Sequence, residues 1–264
     1  MRRLDLVLKT AALTVLALAS AATAGQIDWV HYDPLAGVGA TPATFSSSAE
    51  GYTIAAGVSP DPSAVGPSRA GGIREDTTFS KFVAAVDLVA LESFPSDEAA
   101  GLIARISNVG LGTTDGYAFT YGTGGEDIDI NRITSEQTTL LARTPLTLDP
   151  AALPASEHYR LVFTGTGPLL TGAVYLVNVN DESNLGQPLA SLSATDPTYA
   201  SGYSGVITFD NTDTAEGSNG TNATFANYAE GVPEPGGLGV LVVAVGCVGG
   251  SRRRRWNRRK MVSA

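Results

Sequence analysis

Through the middle of the chain, apolar and polar residues alternate in short runs separated by glycine, proline and aspartate. Tyr159, Leu161 and Phe163 oppose Arg160, Val162 and Thr164, and Tyr117, Phe119 and Tyr121 oppose Ala118 and Thr120. A period of two marks a strand with one buried face. The run from Phe82 to Leu91 is apolar at both alternating sets of positions, Asp87 excepted, and predicts a central strand. Further strands are predicted over 102–106, 172–179, 189–194, 205–209 and 223–228, with 51–56 and 69–73 as edge strands. Turn signals such as Pro60-Asp61-Pro62, Gly110-Leu111-Gly112, Asp115-Gly116 and Gly165-Thr166-Gly167-Pro168 punctuate them. Helical periodicity is nearly absent. About a dozen short strands between frequent turns predict an all-β sandwich or barrel.

The two ends follow other patterns. Arg2, Arg3 and Lys9 open the chain, an apolar run covers 11–19, and Ala22-Thr23-Ala24 precedes Gly25. A basic start, a short apolar run and small residues at alternate positions are what a signal peptidase reads, so 1–24 is expected to be a signal peptide. At the other end, Val232-Pro233-Glu234-Pro235 precedes an apolar, glycine-rich stretch over 236–250. Arg252, Arg253, Arg254 and Arg255 follow, then Trp256, Asn257, Arg258, Arg259 and Lys260. An apolar stretch backed by basic residues halts in a membrane with the basic cluster inside. The stretch is shorter than the ~20 residues of a full span, and its glycines weaken it as a helix. Transient retention suits it better than permanent anchoring.

Proline-glutamate-proline, a short apolar helix, an arginine cluster and the chain end, in that order, resemble the PEP-CTERM sorting signal. The resemblance covers 232–260. It implies recognition and removal of the tail by a membrane peptidase of the exosortase type. The expected organisation is a signal peptide over 1–24, a β-sandwich domain over 25–231 and a sorting tail over 232–264. The expected route is export, passage through the inner membrane, and then the cell surface or extracellular matrix.

Composition sharpens the picture of the middle. Its 207 residues suffice for one domain with a full core. The one cysteine, Cys247, falls in the apolar tail, so no disulfide braces the domain. Of 17 basic residues, three lie in the leader and seven in the tail; of 26 acids, only Asp5 and Glu234 lie outside the domain. The domain therefore carries a net charge near −17. That charge speaks against nucleic acid and anionic lipid as partners.

The strand order also resembles the concanavalin A-like lectin/glucanase jelly roll, laminin G-like members above all. The residues that carry the likeness are 82–88 as an early long strand, 101–105 as the next, 115–119 as a turn and central strand, and 223–228 as the closing strand. An immunoglobulin-like sandwich is the other candidate, though the length is large for it.

The sharpest candidate for chemistry is Glu126-Asp127-Ile128-Asp129-Ile130-Asn131. On a strand, Asp127, Asp129 and Asn131 share one face and the isoleucines the other. That face could meet a glycan or a cation such as calcium. In glucanases of the resembled fold such a strand carries the catalytic carboxylates; here Asn131 stands at the last matching position, and an amide cannot donate an acid proton. No glycine turn follows Asn131, which disfavours an EF-hand-like calcium loop. The Asn- and Asp-rich loop over 210–222 is a second source of oxygen ligands. His31 and His158 lack partners at zinc spacing and read as structural or surface residues. The stripe Tyr117, Phe119 and Tyr121 is either core or a platform for sugar rings.

These observations lead to a non-enzymatic, exported surface or matrix protein that binds polysaccharide. A glycoside hydrolase of the same fold and a purely structural matrix protein are the alternatives. The tail yields a direct test. Mass spectrometry of the protein recovered from its native cell should find a C-terminus near Pro235. A surface form retaining Arg252–Lys260 would refute removal of the tail.

Overall fold

The computed structural model describes residues 27–91, 98–181, 185–210 and 220–232; the leader and the tail from Pro233 onward lie outside the described residues. The described chain runs through β1 (Val30–Tyr32), β2 (Thr44–Ser48), β3 (Gly51–Ala56), a single helical turn over Pro62–Val65, β4 (Arg69–Phe79), β5 (Phe82–Leu91), β6 (Glu98–Ser107), β7 (Asp115–Gly122), β8 (Asp127–Thr134) and β9 (Gln137–Pro145). After a short 3-10 turn at Pro150–Ala152 come β10 (Glu157–Thr166), β11 (Leu169–Asn178), β12 (Ala190–Thr195), β13 (Gly202–Asp210) and β14 (Thr221–Gly231). Sheet A has the order β1-β4-β13-β6-β7-β8-β9, and sheet B the order β12-β11-β10-β5-β14-β3-β2. All pairings are antiparallel. The two sheets stack as a sandwich, one of the two architectures that the alternation predicts.

The central-strand expectation for 82–91 holds: β5 is the middle strand of sheet B. The edge-strand expectations do not. β3 lies inside β2, and β4 lies inside β1. The strands that lie outside them are short: Val30–Tyr32 has three residues, and Thr44–Ser48 is mostly serine and threonine. Weak alternation over so few residues carries little signal. β9 carries no strand signal in the sequence either, because Gln137–Pro145 is an exposed edge with no apolar alternation.

The inner faces build the main core. Tyr117, Phe119 and Tyr121 point inward from β7, which resolves the aromatic stripe as core. Opposite them lie Phe82, Val86 and Leu88 from β5 and Leu161 and Phe163 from β10. The sheets interlock ring on ring. Phe119 sits 5.7 Å from Phe163, and Phe82 packs edge-on against Phe163 at 5.1 Å. Phe119 lies so close to Gly172 of β11 that a Cβ there would meet its ring at 2.4 Å. Glycine at 172 is thus what lets an aromatic ring cross between the layers.

Two arginines organise the polar parts. Arg105 sits in the left-handed region (φ 52°) at the bulge where β6 loses register with β7 and β13. Its guanidinium donates to the carbonyls of Ser80, Gly167 and Tyr199, and lies 5.5 Å above the Phe82 ring. One side chain thereby ties three turns to β6. Arg160 lies on the outer face of sheet B. It grips Asp87 of the neighbouring β5 at 2.5 and 2.8 Å, and Asn227 donates to the same carboxylate. Both partners of the pair are buried.

Breaking a buried ion pair leaves an uncompensated charge, which costs about 3–5 kcal/mol, while replacing both partners by apolar groups is far milder. Arg160→Met or Asp87→Leu alone should lower the urea midpoint sharply. The double variant should recover most of the loss. Equal, additive losses in the three proteins would show that the pair is not coupled.

Candidate functional site

Sheet A is apolar on both faces. Behind the core, its outer face carries a second cluster: Tyr32, Ile73, Ile103, Ile106, Ala118, Ile133 and Ile207. The strand register shows how this floor is shaped. Gly71, Ile207, Gly101 and Thr120 form one row across β4, β13, β6 and β7; Ile73, Gly205, Ile103 and Ala118 form the next. Isoleucine and small residues thus alternate in both directions, leaving a hollow. Larger residues could not replace the glycines freely. A Cβ on Gly101 would meet the Phe119 carbonyl oxygen at 2.2 Å, and one on Gly205 the Gly72 oxygen at 2.1 Å.

Above this floor lies a cavity of about 440 Å³. The loop carrying Pro62–Pro67, Leu111 and Gly112 of the β6–β7 connection, and the β8–β9 turn complete its walls. A clasp holds these walls together. Tyr32 donates its hydroxyl hydrogen to Glu136, as Gly112 does its backbone N–H. Arg69 meets the two Glu136 oxygens at 3.0 and 2.7 Å, and its third nitrogen donates to the carbonyls of Val65 and Pro67. In a flat sheet, the five strand spacings from β1 to β8 would separate them by about 24 Å. Tyr32 and the β8–β9 turn could then not touch, so the outer face of sheet A is concave.

Glu136 holds its place against local preference. Ser135 and Glu136 both have positive φ (49° and 64°) in a two-residue hairpin turn, a geometry that favours asparagine and glycine. A glycine at 136 would relax the backbone but lose the clasp. Burial alone would push the Glu136 carboxyl up. Arg69, Tyr32 and Gly112 outweigh it and hold the carboxyl below the usual glutamate range. Burial, and then the Glu136 charge, push the Tyr32 phenol well above its ordinary value.

The strand 127–134 places the expected face as the alternation requires. Ile128 and Ile130 are in the core, and Asp127, Asp129 and Asn131 point outward. They do not act together. Arg143 of β9 lies 3.0 Å from Asp127 and holds Asp129 at 2.8 and 2.5 Å, so the two acids share one guanidinium. Asn131 alone lines the cavity. Near it stand Gln137 and Thr138. The side chains of all three have no hydrogen-bond partner among the described residues. Phe209, half-buried, adds an aromatic wall.

The other candidates fall elsewhere. His31 stacks on Phe45 at 4.0 Å, and the Nδ1 of His158 lies 4.0 Å from Asp87. Asp210 closes β13 in the interior, and 211–219 of its loop lie outside the described residues. Among the described residues, no three His, Cys, Asp or Glu side chains gather in a way that could hold a metal. Sequence reasoning missed Tyr32, Arg69, Glu136 and Phe209. Tyr32 and Glu136 are 104 positions apart, and no local pattern announces their meeting.

No family model matches the chain, and no curated protein matches it. Solved structures do resemble it. A carbohydrate-binding module from Bacillus subtilis shares 16% identity over 72% of this chain and 92% of its own, with a TM-score of 0.47. The exoplasmic/lumenal domain of VIP36, in a Ca2+/Man-bound form, shares 9% identity over 80% of this chain and 85% of its own (TM-score 0.48). Lectin II from Ulex europaeus shares 11% over 79% and 94% (TM-score 0.41). The likeness is one of architecture, a lectin-like jelly-roll sandwich of two antiparallel sheets. None of these likenesses reaches a TM-score of 0.5, and none bears on the chemistry of the cavity.

The clasp has a pH signature. A folded-state pKa below the unfolded one stabilises the fold above the unfolded value, and that stabilisation is lost as pH falls through the folded value. Wild type should exceed Glu136→Gln in stability by about 3 kcal/mol near neutrality, because the variant leaves Arg69 buried without its carboxylate. The gap should narrow on acidification below the ordinary glutamate range. Urea melts of both proteins at several pH values test this. A gap that is constant with pH would show that Glu136 carries no charge in the fold.

Proposed function

We propose that the domain is a non-catalytic binding module that holds a short saccharide in the cavity on the outer face of sheet A. The observation that carries this reading is the pairing of surfaces there. An apolar floor and the Phe209 ring face one rim bearing Asn131, Gln137 and Thr138, neutral side chains that no other described residue engages. A sugar ring offers the complement, an apolar face and an edge of hydroxyls. The volume falls within the ~300–1,000 Å³ of small-ligand sites.

Hydrolysis finds less support. Glycosidases place two carboxyl groups across the bond they break, about 5–9.5 Å apart. The cavity wall holds one, Glu136, which Arg69 engages in an ion pair. Asp127 and Asp129 share Arg143 outside the cavity.

The module is exported behind the leader over 1–24 and is sorted through the PEP-CTERM-like tail, with a signal peptidase and an exosortase-type peptidase as processing partners. This part of the reading rests on the order of sequence features at the two ends. Calcium, offered oxygens by Asp127, Asp129 and the loop after Asp210, is a candidate aid to retention rather than a reactant.

Retention on a panel of immobilised polysaccharides, with and without calcium, tests the binding reading. At least one polysaccharide should retard the protein. Asn131→Ala and Phe209→Ala should each weaken retention about three- to tenfold, the effect of one lost hydrogen bond or one lost aromatic contact. No reducing ends should appear above the blank. Retention that is indifferent to both substitutions would move the site elsewhere. Release of reducing ends would establish a hydrolase.

A further inference from the structure

Four strands end the two sheets, and three of them make poor templates for a further strand. β1 and β2 are short and are tied to one another where His31 stacks on Phe45 at 4.0 Å. β9 is bulged where it passes Ile130 and Asn131, carries Arg143 and ends in Pro145. Bulges, charges and prolines are how exposed edges refuse a further strand. β12 has none of these. Ala190–Thr195 pairs with β11 in unbroken register and carries neither charge nor proline. On its other side it pairs with no described strand.

The hydrogen bonds fix which groups this edge presents. Asp196 donates its backbone N–H to the carbonyl of Pro168. By the alternation of an antiparallel ladder, Ala190, Leu192 and Ala194 then bond to β11, while Ser191 and Ser193 turn their N–H and C=O groups out of the sheet. The side chains of both serines are exposed, and Leu192 between them is buried in the core. Residues 190–194 read Ala-Ser-Leu-Ser-Ala, the same in both directions. Two such strands set antiparallel about Leu192 place Ser191 opposite Ser193, each with its free backbone groups toward the other, and Ala190 opposite Ala194.

From this edge we infer that β12 pairs with β12 of a second copy of the chain, joining two B sheets edge to edge. Charge singles out this approach. Domains near −17 repel one another, but β12 is neutral, and Asp196, which follows it, is held by Arg132 at 2.9 Å. Apolar surface gathers on the same side. Among the described residues five leucines are exposed, and four of them, Leu140, Leu169, Leu176 and Leu189, lie on β9, on β11 or just before β12. In the pair, Leu189 stands opposite Thr195 of the other copy, and Thr195 is itself the neighbour of Leu169. Two leucines that are 49% and 48% exposed thereby close over one threonine. The two-fold axis runs across the sheets, so both concave faces of sheet A point the same way and can engage one polysaccharide together. The pairing itself does not rest on what those cavities hold.

A six-residue edge is a small contact and holds weakly, so covalent trapping is the suitable test. In a Cys247→Ser background the full chain has no cysteine. Ser191→Cys and Ser193→Cys are made separately in that background. The pairing sets position 191 of one copy against position 193 of the other, within disulfide reach, and leaves like positions on a diagonal about 7–8 Å apart, beyond it. Under mild oxidation the mixture of the two proteins should form a disulfide-linked dimer about tenfold faster than either protein alone. Leu189→Glu in both should slow that linkage about tenfold, the effect of a leucine left in water. All three positions are exposed, so the fold tolerates each change. Linkage no faster in the mixture than in the single proteins would overturn the inference and leave this edge to a foreign strand. A rate indifferent to Leu189→Glu would overturn it as well.

Discussion

The structure depends on a sheet that must be covered on both sides. β6, the middle strand of sheet A, is buried along almost its whole length, and its two faces serve different clusters. Sheet B covers one face. The other is covered by connecting loops, and loops need something to hold them down. That task falls to one carboxylate, Glu136, which draws Tyr32, Arg69 and Gly112 together over the concave side. The cavity exists because this cover spans the floor without filling it. The glycines at 71, 101 and 205 bring strands close and hollow the surface, and the isoleucines between them keep it apolar. A domain without a cysteine secures the arrangement by an ion pair, hydrogen bonds and packing.

What was legible in the sequence follows the range of the interactions. Period-two alternation in Tyr117–Tyr121 and Tyr159–Thr164 reports which side of a strand is buried, because that property is local. It placed the strands, the aromatic core and the face shared by Asp127, Asp129 and Asn131. It could not report that β9 would bring Arg143 alongside the two acids, since strand pairing is not written in either strand alone. Nor could it separate Asn131 from its two neighbours, although only Asn131 reaches the cavity. Glu136 is the clearest case. Its sequence neighbourhood reads as an ordinary turn, and its importance comes from residues 24, 67 and 104 positions away.

The charge of the domain fits this division of labour. A net charge near −17 favours solubility and turns anionic partners away. The cavity on sheet A, however, is not built around free negative charge, because Glu136 and Arg69 neutralise each other on its wall. The acidity belongs to the surface and the recognition to neutral groups.

Isoleucine is a natural reporter for the central claim, that the concave side of sheet A seats the ligand. Ile73, Ile103, Ile106, Ile133 and Ile207 line that cavity, whereas Ile54, Ile128 and Ile130 lie in the core between the sheets. Methyl NMR of protein labelled at isoleucine, titrated with a saccharide that retards it, distinguishes the two groups in one experiment. The account expects the first five methyl signals to move together with a single affinity and the three core signals to stay. Movement confined to other methyls, or no movement at saturating saccharide, would contradict it.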